Sequence, residues 1–320
     1  MSKASFLLLL CTLPLAAQVK ITQGSDRITA DIDGQPFSAL FVSADTTKPY
    51  LHPLRAASGT VVSRFYPMEL VEGEARDHVH QRGLWFSHGA VNGLDFWSND
   101  PTQQGPKKGR ISLRKVLALK SGKKSGFLEA AFDWTDAKGK TLLTETKKIV
   151  FYAQPGVRMM DFDITLTAVE KVVFGDTKEG TFAIRLAPWL EEPVKRSLEK
   201  PKRTGKMVNA EGLEGENKVW GKRSPWVDYF GETGTEKLGV AILDHPGNPR
   251  HPTFWHSRSY GLFACNVFGV RDFTGDKSQD GSLTLEPGAR LRFRYRVIVH
   301  AGDYQSAGIA GQYKKYAATK

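Results

Sequence analysis

The segment "LRFRYRVIVH", residues 291–300, does most to limit what this chain can fold into. Leu291, Phe293, Tyr295, Val297 and Val299 fall on one side of an extended backbone, and Arg292, Arg294 and Arg296 on the other. A period of two marks a strand buried on one face, whereas a helix would scatter those arginines through its apolar stripe. The pattern recurs. In "MDFDITLTA" (160–168), Met160, Phe162, Ile164, Leu166 and Ala168 alternate with Asp161, Asp163, Thr165 and Thr167. In "FLEAAFDW" (127–134), Leu128, Ala130, Phe132 and Trp134 share a face. Further strands are expected over 27–32, 111–119, 147–152, 181–186, 238–243 and 262–267, parted by the turn-forming stretches "DIDGQP", "DAKGK", "AQPG", "DHPGNP" and "LEPGA". Roughly a dozen strands with no convincing helix between them predict an all-β fold, a large antiparallel β-sandwich.

The tail "DYQSAGIAGQYKKYAA" (303–318) is the one helical candidate, because Ala307, Ile309, Ala310, Tyr313 and Tyr316 fall near helical spacing. It reads as a short C-terminal helix packed over one end of a sheet. The polar, aperiodic segment 191–220 reads as a long loop over one face. With no internal repeat and no Pro/Ser-rich linker, residues 18–320 are expected to form one β-sandwich domain.

Lys3 precedes the apolar run "FLLLLCTLPLAA", with small residues at Ala16 and Ala17. That is the layout of a signal peptide over residues 1–17. The run is shorter than the ~20 apolar residues a membrane span needs. The mature chain is expected to start near Gln18, in the periplasm or outside the cell, without a membrane span. Losing the leader removes Cys11 and leaves Cys265 without a partner for an internal disulfide.

The formal charge is +11. Its clusters, "KKGR" (107–110), "GKK" (122–124) and "KRSLEKPKR" (195–203), carry no interleaved aromatics and accompany no nucleic-acid motif. They read as solvated loops, with no nucleic-acid partner expected; an anionic substrate or cell-surface polymer stays open.

Chemistry concentrates in "DHVHQRGLWFSHGAVNGLDFW" (77–97), which holds three of the eight histidines. If the segment is extended, His78 and His80 leave the same sheet face with Cα atoms ~6.6–6.8 Å apart. Such a pair can bracket a substrate oxygen or hold a metal. Arg82, Trp85, His88, Asp95 and Trp97 follow, offering the apolar plate and hydrogen-bonding rim that a pyranose ring requires. A second stretch, "DHPGNPRHPTFWHSRSYGL" (244–262), repeats that chemistry in His245, Arg250, Trp255, His256 and Arg258. The two could form opposite walls of one cleft. A third, "NAEGLEGENKVWGKRSPWVDY" (209–229), offers Glu211 as a carboxylate, Arg223 as a clamp and Trp226 as a stacking surface. A fourth offers Arg64. Each has a plain alternative as a set of satisfied core or loop side chains. No G-x-S-x-G elbow, P-loop, H-E-x-x-H or Rossmann fingerprint is present.

These stretches, with "KPYLHPL", "EGTFAIR", "WGKRSPWVDY" and "YRVIVHAGD", resemble a bacterial family labelled "methane oxygenase PmoA", over nearly the whole mature chain. The resemblance implies an exported protein of sugar metabolism. The strand pattern and the His/Arg/Trp face are also similar to the galactose mutarotase-like supersandwich. The family commonly reads D-H-P-H-H-R; here Val79 replaces the proline and Gln81 a histidine, and on a strand Gln81 would face away from His78 and His80.

The expectation is an exported carbohydrate-active enzyme, an epimerase, lyase or hydrolase, working by histidine acid/base chemistry on a sugar or glycan. His80 and His256 would flank the sugar, with His78 and Glu211 as further catalytic groups. Arg82 and Arg223 would stabilise charge on oxygen, and Trp85, Trp226 and Trp255 would stack on the ring. No cofactor is required. Two alternatives stand beside this: a non-catalytic glycan-binding protein, and a metal-dependent oxygenase or hydrolase with His78 and His80 as ligands.

Overall fold

The computed structural model describes residues 18–194 and 201–319. The expected leader and most of the basic run at 195–203 lie outside the described residues. Two eight-stranded antiparallel sheets hold most of the strands. The first runs β1 (Val19–Gln23), β2 (Arg27–Ile32), β3 (Gln35–Phe41), β4 (Tyr50–His52), β5 (Leu84–His88), β11 (Gly180–Arg185), β16 (Leu262–Asn266), β15 (Phe254–Ser257). The second runs β12 (Lys206–Asn209), β13 (Trp226–Thr233), β14 (Glu236–Asp244), β18 (Arg290–Ala301), β9 (Val157–Ala168), β8 (Thr141–Gln154), β7 (Ser125–Thr135), β6 (Arg110–Lys120). A small ribbon pairs β10 (Val172–Phe174) with β17 (Leu283–Leu285). The expected antiparallel sandwich is therefore what forms. Among the described residues no helix is long and apolar enough to cross a membrane.

The alternating patterns do what their period demands. Leu128, Ala130, Phe132 and Trp134 of β7, the Met160–Ala168 set of β9, and Phe293, Tyr295, Val297 and Val299 of β18 all enter the buried core. They meet the inward side of the first sheet: the rings of Phe182 and Tyr295 stack at 4.4 Å, Phe162 meets Phe182 at 4.8 Å, and Phe86 meets Phe293 at 5.3 Å. Each fully buried ring contributes ~1.5–3 kcal/mol. On the other face of the second sheet, Arg292 and Arg296 pair across the strands with Asp163 and Asp161. Turn chemistry sets the hairpins. Asp33 and Gly34 sit at φ 56° and 76°, both in the left-handed region that a two-residue hairpin between β2 and β3 requires. Pro155 and Gly156 turn β8 into β9, with Gly156 at φ 71°.

The C-terminal helix α3 spans Ile309–Ala317, shorter than the expected 303–318, because Gly308 at φ 63° closes a preceding run of turns. Rather than capping an end, it lies on the outer face of the second sheet, where Ile309 and Tyr316 pack with Trp226, Phe230, Leu243 and Ile298. The segment expected as a loop over 191–220 holds β12 and the single helical turn α1 (Glu216–Val219). A further short helix, α2 (Val270–Thr274), is carried by a segment without helical periodicity.

Candidate functional site

The candidate site lies on the outer face of the first sheet. Strand pairing sets His256, Ala264, Ala183, Trp85 and Tyr50 in one row across five strands. Neighbouring side chains on a strand point to opposite faces, so Trp255 points inward and is fully buried in the core while His256 points out. The two alanines keep the middle of the row low. Trp97 settles over it with its ring 5.0 Å from Trp85, and Met68 and Tyr260 pack around the same cluster.

Against this face the segment before β5 folds back. His78 and His80 do not lie on a strand as expected; they sit in a turn closed by hydrogen bonds from Gln81 N to His78 O and from Arg82 N to His80 O. His78 takes φ 45°, a left-handed conformation uncommon outside glycine and found where surroundings enforce it. What enforces it here is Arg64. Its fully buried guanidinium donates to the carbonyls of Ala75, His78 and Gln81 and to Asp77 Oδ1 at 2.7 Å. Arg185, also fully buried, donates to Gln81 Oε1 and Asp77 Oδ1. Desolvation and the neighbouring Arg185 pull Arg64 down to about 10, so it remains charged.

The turn and the sheet enclose a hollow of about 310 Å³. His78, His80 and His256 all line it, as do Glu179, Lys178 and Arg258. Gln81, Ser98, Tyr260 and Leu262 complete the wall. The imidazole rings of His78 and His80 are 5.7 Å apart, and His78 stacks on Tyr260 at 5.4 Å.

The three imidazoles differ in support. Asp77 Oδ2 holds His78 Nδ1 at 3.0 Å, which leaves Nε2 to the solvent side. His256 Nδ1 lies 3.0 Å from the carbonyl of Lys178, an acceptor only, so Nδ1 carries the proton and Nε2 carries the lone pair. Burial pushes His256 down to about 4, partly offset by Glu179. Burial, reinforced by Lys48 and His78, pushes His80 down to about 3. Both rings are neutral at physiological pH. His80 Nδ1 is buried without a hydrogen-bond partner among the described residues.

Of the expected site residues, the hollow brings together His78, His80, His256 and Arg258. Five more stand behind it: Arg64 anchors the turn; Arg82 is held by Asp100 at 2.7 Å; Asp95 binds Lys108 and caps the amides of Trp97 and Ser98; Trp85 and Trp97 are buried in the packing beneath. The remainder are elsewhere. His88 is fully buried between Phe174 and Phe268 with Nε2 on Gly175 O. Trp255 is core. Trp226 lies under α3 on the opposite sheet, near His245, whose Nε2 is 3.0 Å from Thr319 O. Arg223 and Arg250 tie loop carbonyls. Glu211 is an exposed turn residue outside the hollow's wall. Trp85, Trp226 and Trp255 therefore offer no plate to a ligand, and none of the seven tryptophans lines the hollow.

Gln81, expected to face away, lines the hollow because the turn breaks the strand alternation. Sequence reasoning passed over Lys178, Glu179, Ser98 and Tyr260. The one available signal for the first two was a charged pair directly before the strand "GTFAIR". Among the described residues no group of three or more His, Cys, Asp or Glu side chains is arranged to hold a metal ion. The pair His78 and His80 thus lacks a third protein ligand there.

No curated protein sequence matches the chain. Among solved structures it is similar to an α-galactosidase from Lactobacillus brevis (11% identity, TM-score 0.38), covering 90% of this chain but only 40% of the enzyme's. It is also similar to a "putative aldose 1-epimerase" from Klebsiella pneumoniae (10% identity, TM-score 0.46, covering 94% of this chain and 88% of the other). A galactose mutarotase related enzyme from Lactobacillus acidophilus matches at 9% identity and TM-score 0.33, covering 88% and 97% of the two chains. With residues 27–314 matched, the chain belongs to the "Family of unknown function (DUF6807)".

Proposed function

We propose that the protein is an exported carbohydrate-active enzyme that binds a sugar in the hollow and moves protons on it with His78, His80 and His256. The observation that carries this reading is the convergence of three imidazoles from two distant segments on one open hollow, each ring supported differently. His78, oriented by Asp77 and lining the hollow, has the arrangement of a general base. His256 presents a lone pair to a sugar hydroxyl. His80, neutral and lining the hollow, has Nδ1 buried without a partner among the described residues.

Among the expected reactions the lining favours epimerisation or elimination over conventional glycoside hydrolysis. Hydrolysis in most families uses two opposed carboxylates, and Glu179 is the one carboxylate on the wall among the described residues. The glycan-binding alternative fits less well, since such a protein would present an exposed aromatic plate and the tryptophans are spent in packing. The metal-dependent alternative rests on His78 and His80 alone.

The test separates binding from turnover. In a sugar and glycan screen by thermal shift, a ligand of the folded state raises the melting temperature. With that ligand, His78→Ala should keep affinity within a few-fold and lose turnover. Equal loss of affinity and turnover, or no turnover by the parent protein on any bound sugar, would favour the binding protein.

A further inference from the structure

We infer that the sugar is a uronate, and that the hollow catalyses its β-elimination. This rests on the reading above that the hollow takes a sugar, and adds the substrate's charge and the bond broken.

The wall carries two cations, Lys178 and Arg258, against one carboxylate, Glu179. Lys178 lies 3.0 Å from Glu179. Arg258 meets Glu216 through Nε at 3.2 Å, which leaves the two terminal amino groups of its fork as donors. Beside it Gln81, only 2% exposed, has its amide oxygen taken by Arg185. The amide nitrogen is thereby fixed as a donor, and Gln81 lines the hollow. Both guanidinium groups lie over the Tyr260 ring, Arg185 at 4.6 Å and Arg258 at 5.8 Å. Gln81, Arg185, Tyr260 and Arg258 are thus one connected unit. It offers the hollow an amide N–H and a guanidinium fork, the donor set that a planar carboxylate takes with two hydrogen bonds.

A carboxylate held there gives the base something to do. In a hexuronate the proton on C5 is adjacent to the carboxylate, and neutralising that carboxylate makes the proton removable. His78 Nε2 takes the C5 proton. The freed electron pair forms the C4=C5 double bond as the C4–O4 bond breaks with its pair to O4. Tyr260 donates its hydroxyl proton to O4; burial raises the phenol's pKa, so it enters the step protonated. The proton on His78 returns through solvent to Tyr260, so atoms and charges balance without a further reactant. His78 and Tyr260 stack at 5.4 Å, so base and acid adjoin. Gln81 and Arg258 hold the charge that builds on the carboxylate meanwhile.

The experiment incubates the full-length mature protein with polygalacturonate, polyglucuronate, methyl-esterified polygalacturonate and a neutral galactan, and follows the ultraviolet absorbance of the new double bond conjugated to the carboxylate. Thermal shift with galacturonate, glucuronate, galactose and glucose runs alongside. The expected result is absorbance growth on an unesterified uronate polymer and a melting shift with a uronate and not with its neutral counterpart. Arg258→Gln should raise KM for the uronate roughly tenfold or more, as for loss of a charge-assisted hydrogen bond, and Tyr260→Phe should remove turnover while keeping the melting shift. Turnover of neutral or esterified substrates equal to that of uronates, or an unchanged KM in Arg258→Gln, would overturn this inference and leave the sugar enzyme standing. No melting shift and no turnover with any of these sugars would sink both.

Discussion

Of the three aspartate–histidine pairs among the described residues, the one beside the hollow is open, whereas the one beneath α3 is covered. On the first sheet Asp77 meets His78 at 3.0 Å, and the two side chains are 45% and 40% exposed beside the hollow. Beneath α3, where β14 ends, Asp244 meets His251 at 2.7 Å, with Asp244 fully buried. There the outer imidazole nitrogen is already taken by the hydroxyl of Tyr313 on α3 at 3.2 Å. Asp244 also binds the side chain of Asn248 and the amide of Thr253. The chemistry of the two pairs is nearly the same, and the difference lies in what covers them. A helix seals one into a clamp for the C-terminus; a turn leaves the other facing water. Histidine and carboxylate adjacency therefore says little about function until the occupant of the second ring nitrogen is known.

The largest expected consequence of that contrast is in turnover. His78→Ala should cost about 10²- to 10⁴-fold in kcat with a small change in melting temperature, the usual contribution of a positioned acid–base group. His251→Ala should leave kcat unchanged, and a matching loss in both would remove the distinction. Next comes acid sensitivity. His256 falls from an ordinary value of 6.5 to about 4 on folding because burial disfavours its charged form. The unfolded chain then binds more protons between those values, so stability is full above pH 6.5 and declines as pH falls toward 4. The loss is ~3 kcal/mol for this residue. In denaturant titrations at pH 6.5 and pH 4, His256→Asn should flatten that decline by about this amount; an unaltered slope would contradict it. Asp244→Asn should follow, with ~1–3 kcal/mol of stability lost by chemical denaturation and activity retained. The smallest effect belongs to Tyr313→Phe, which deletes the cover's hydrogen bond to His251 and should cost ~0.5–1.5 kcal/mol.

Much of the frame was legible because alternation is a local property. The β18 segment shows it best: every expected inward residue from Phe293 to Val299 is in the core, since one strand needs no knowledge of its partners to present two faces. The site was legible only where chemistry clustered densely in sequence, at 77–80 and 256–258. Trp255 and His256 show the limit. Alternation says that one of the two must face inward, yet which one depends on how the β15–β16 hairpin joins the sheet, and that is set by the pairing of β16 with β11, far away in the chain. Trp226 was misplaced for the same reason, since its strand belongs to the other sheet. Glu179 and Tyr260 were passed over because a lone carboxylate and a lone phenol carry no local signature. They matter through the register of β11 and the turn before β16. Gln81 was misjudged because a turn stands where a strand was expected, and one turn resets every facing direction after it.

The grip of Arg64 on the histidine turn falls on main-chain oxygens of residues 75, 78 and 81. Apart from Asp77, nothing in that grip depends on which side chains the turn displays. The displayed groups can be exchanged while the same guanidinium keeps the mounting rigid. New substrate preferences can then arise by swapping tools on a fixed holder, without refolding the scaffold beneath.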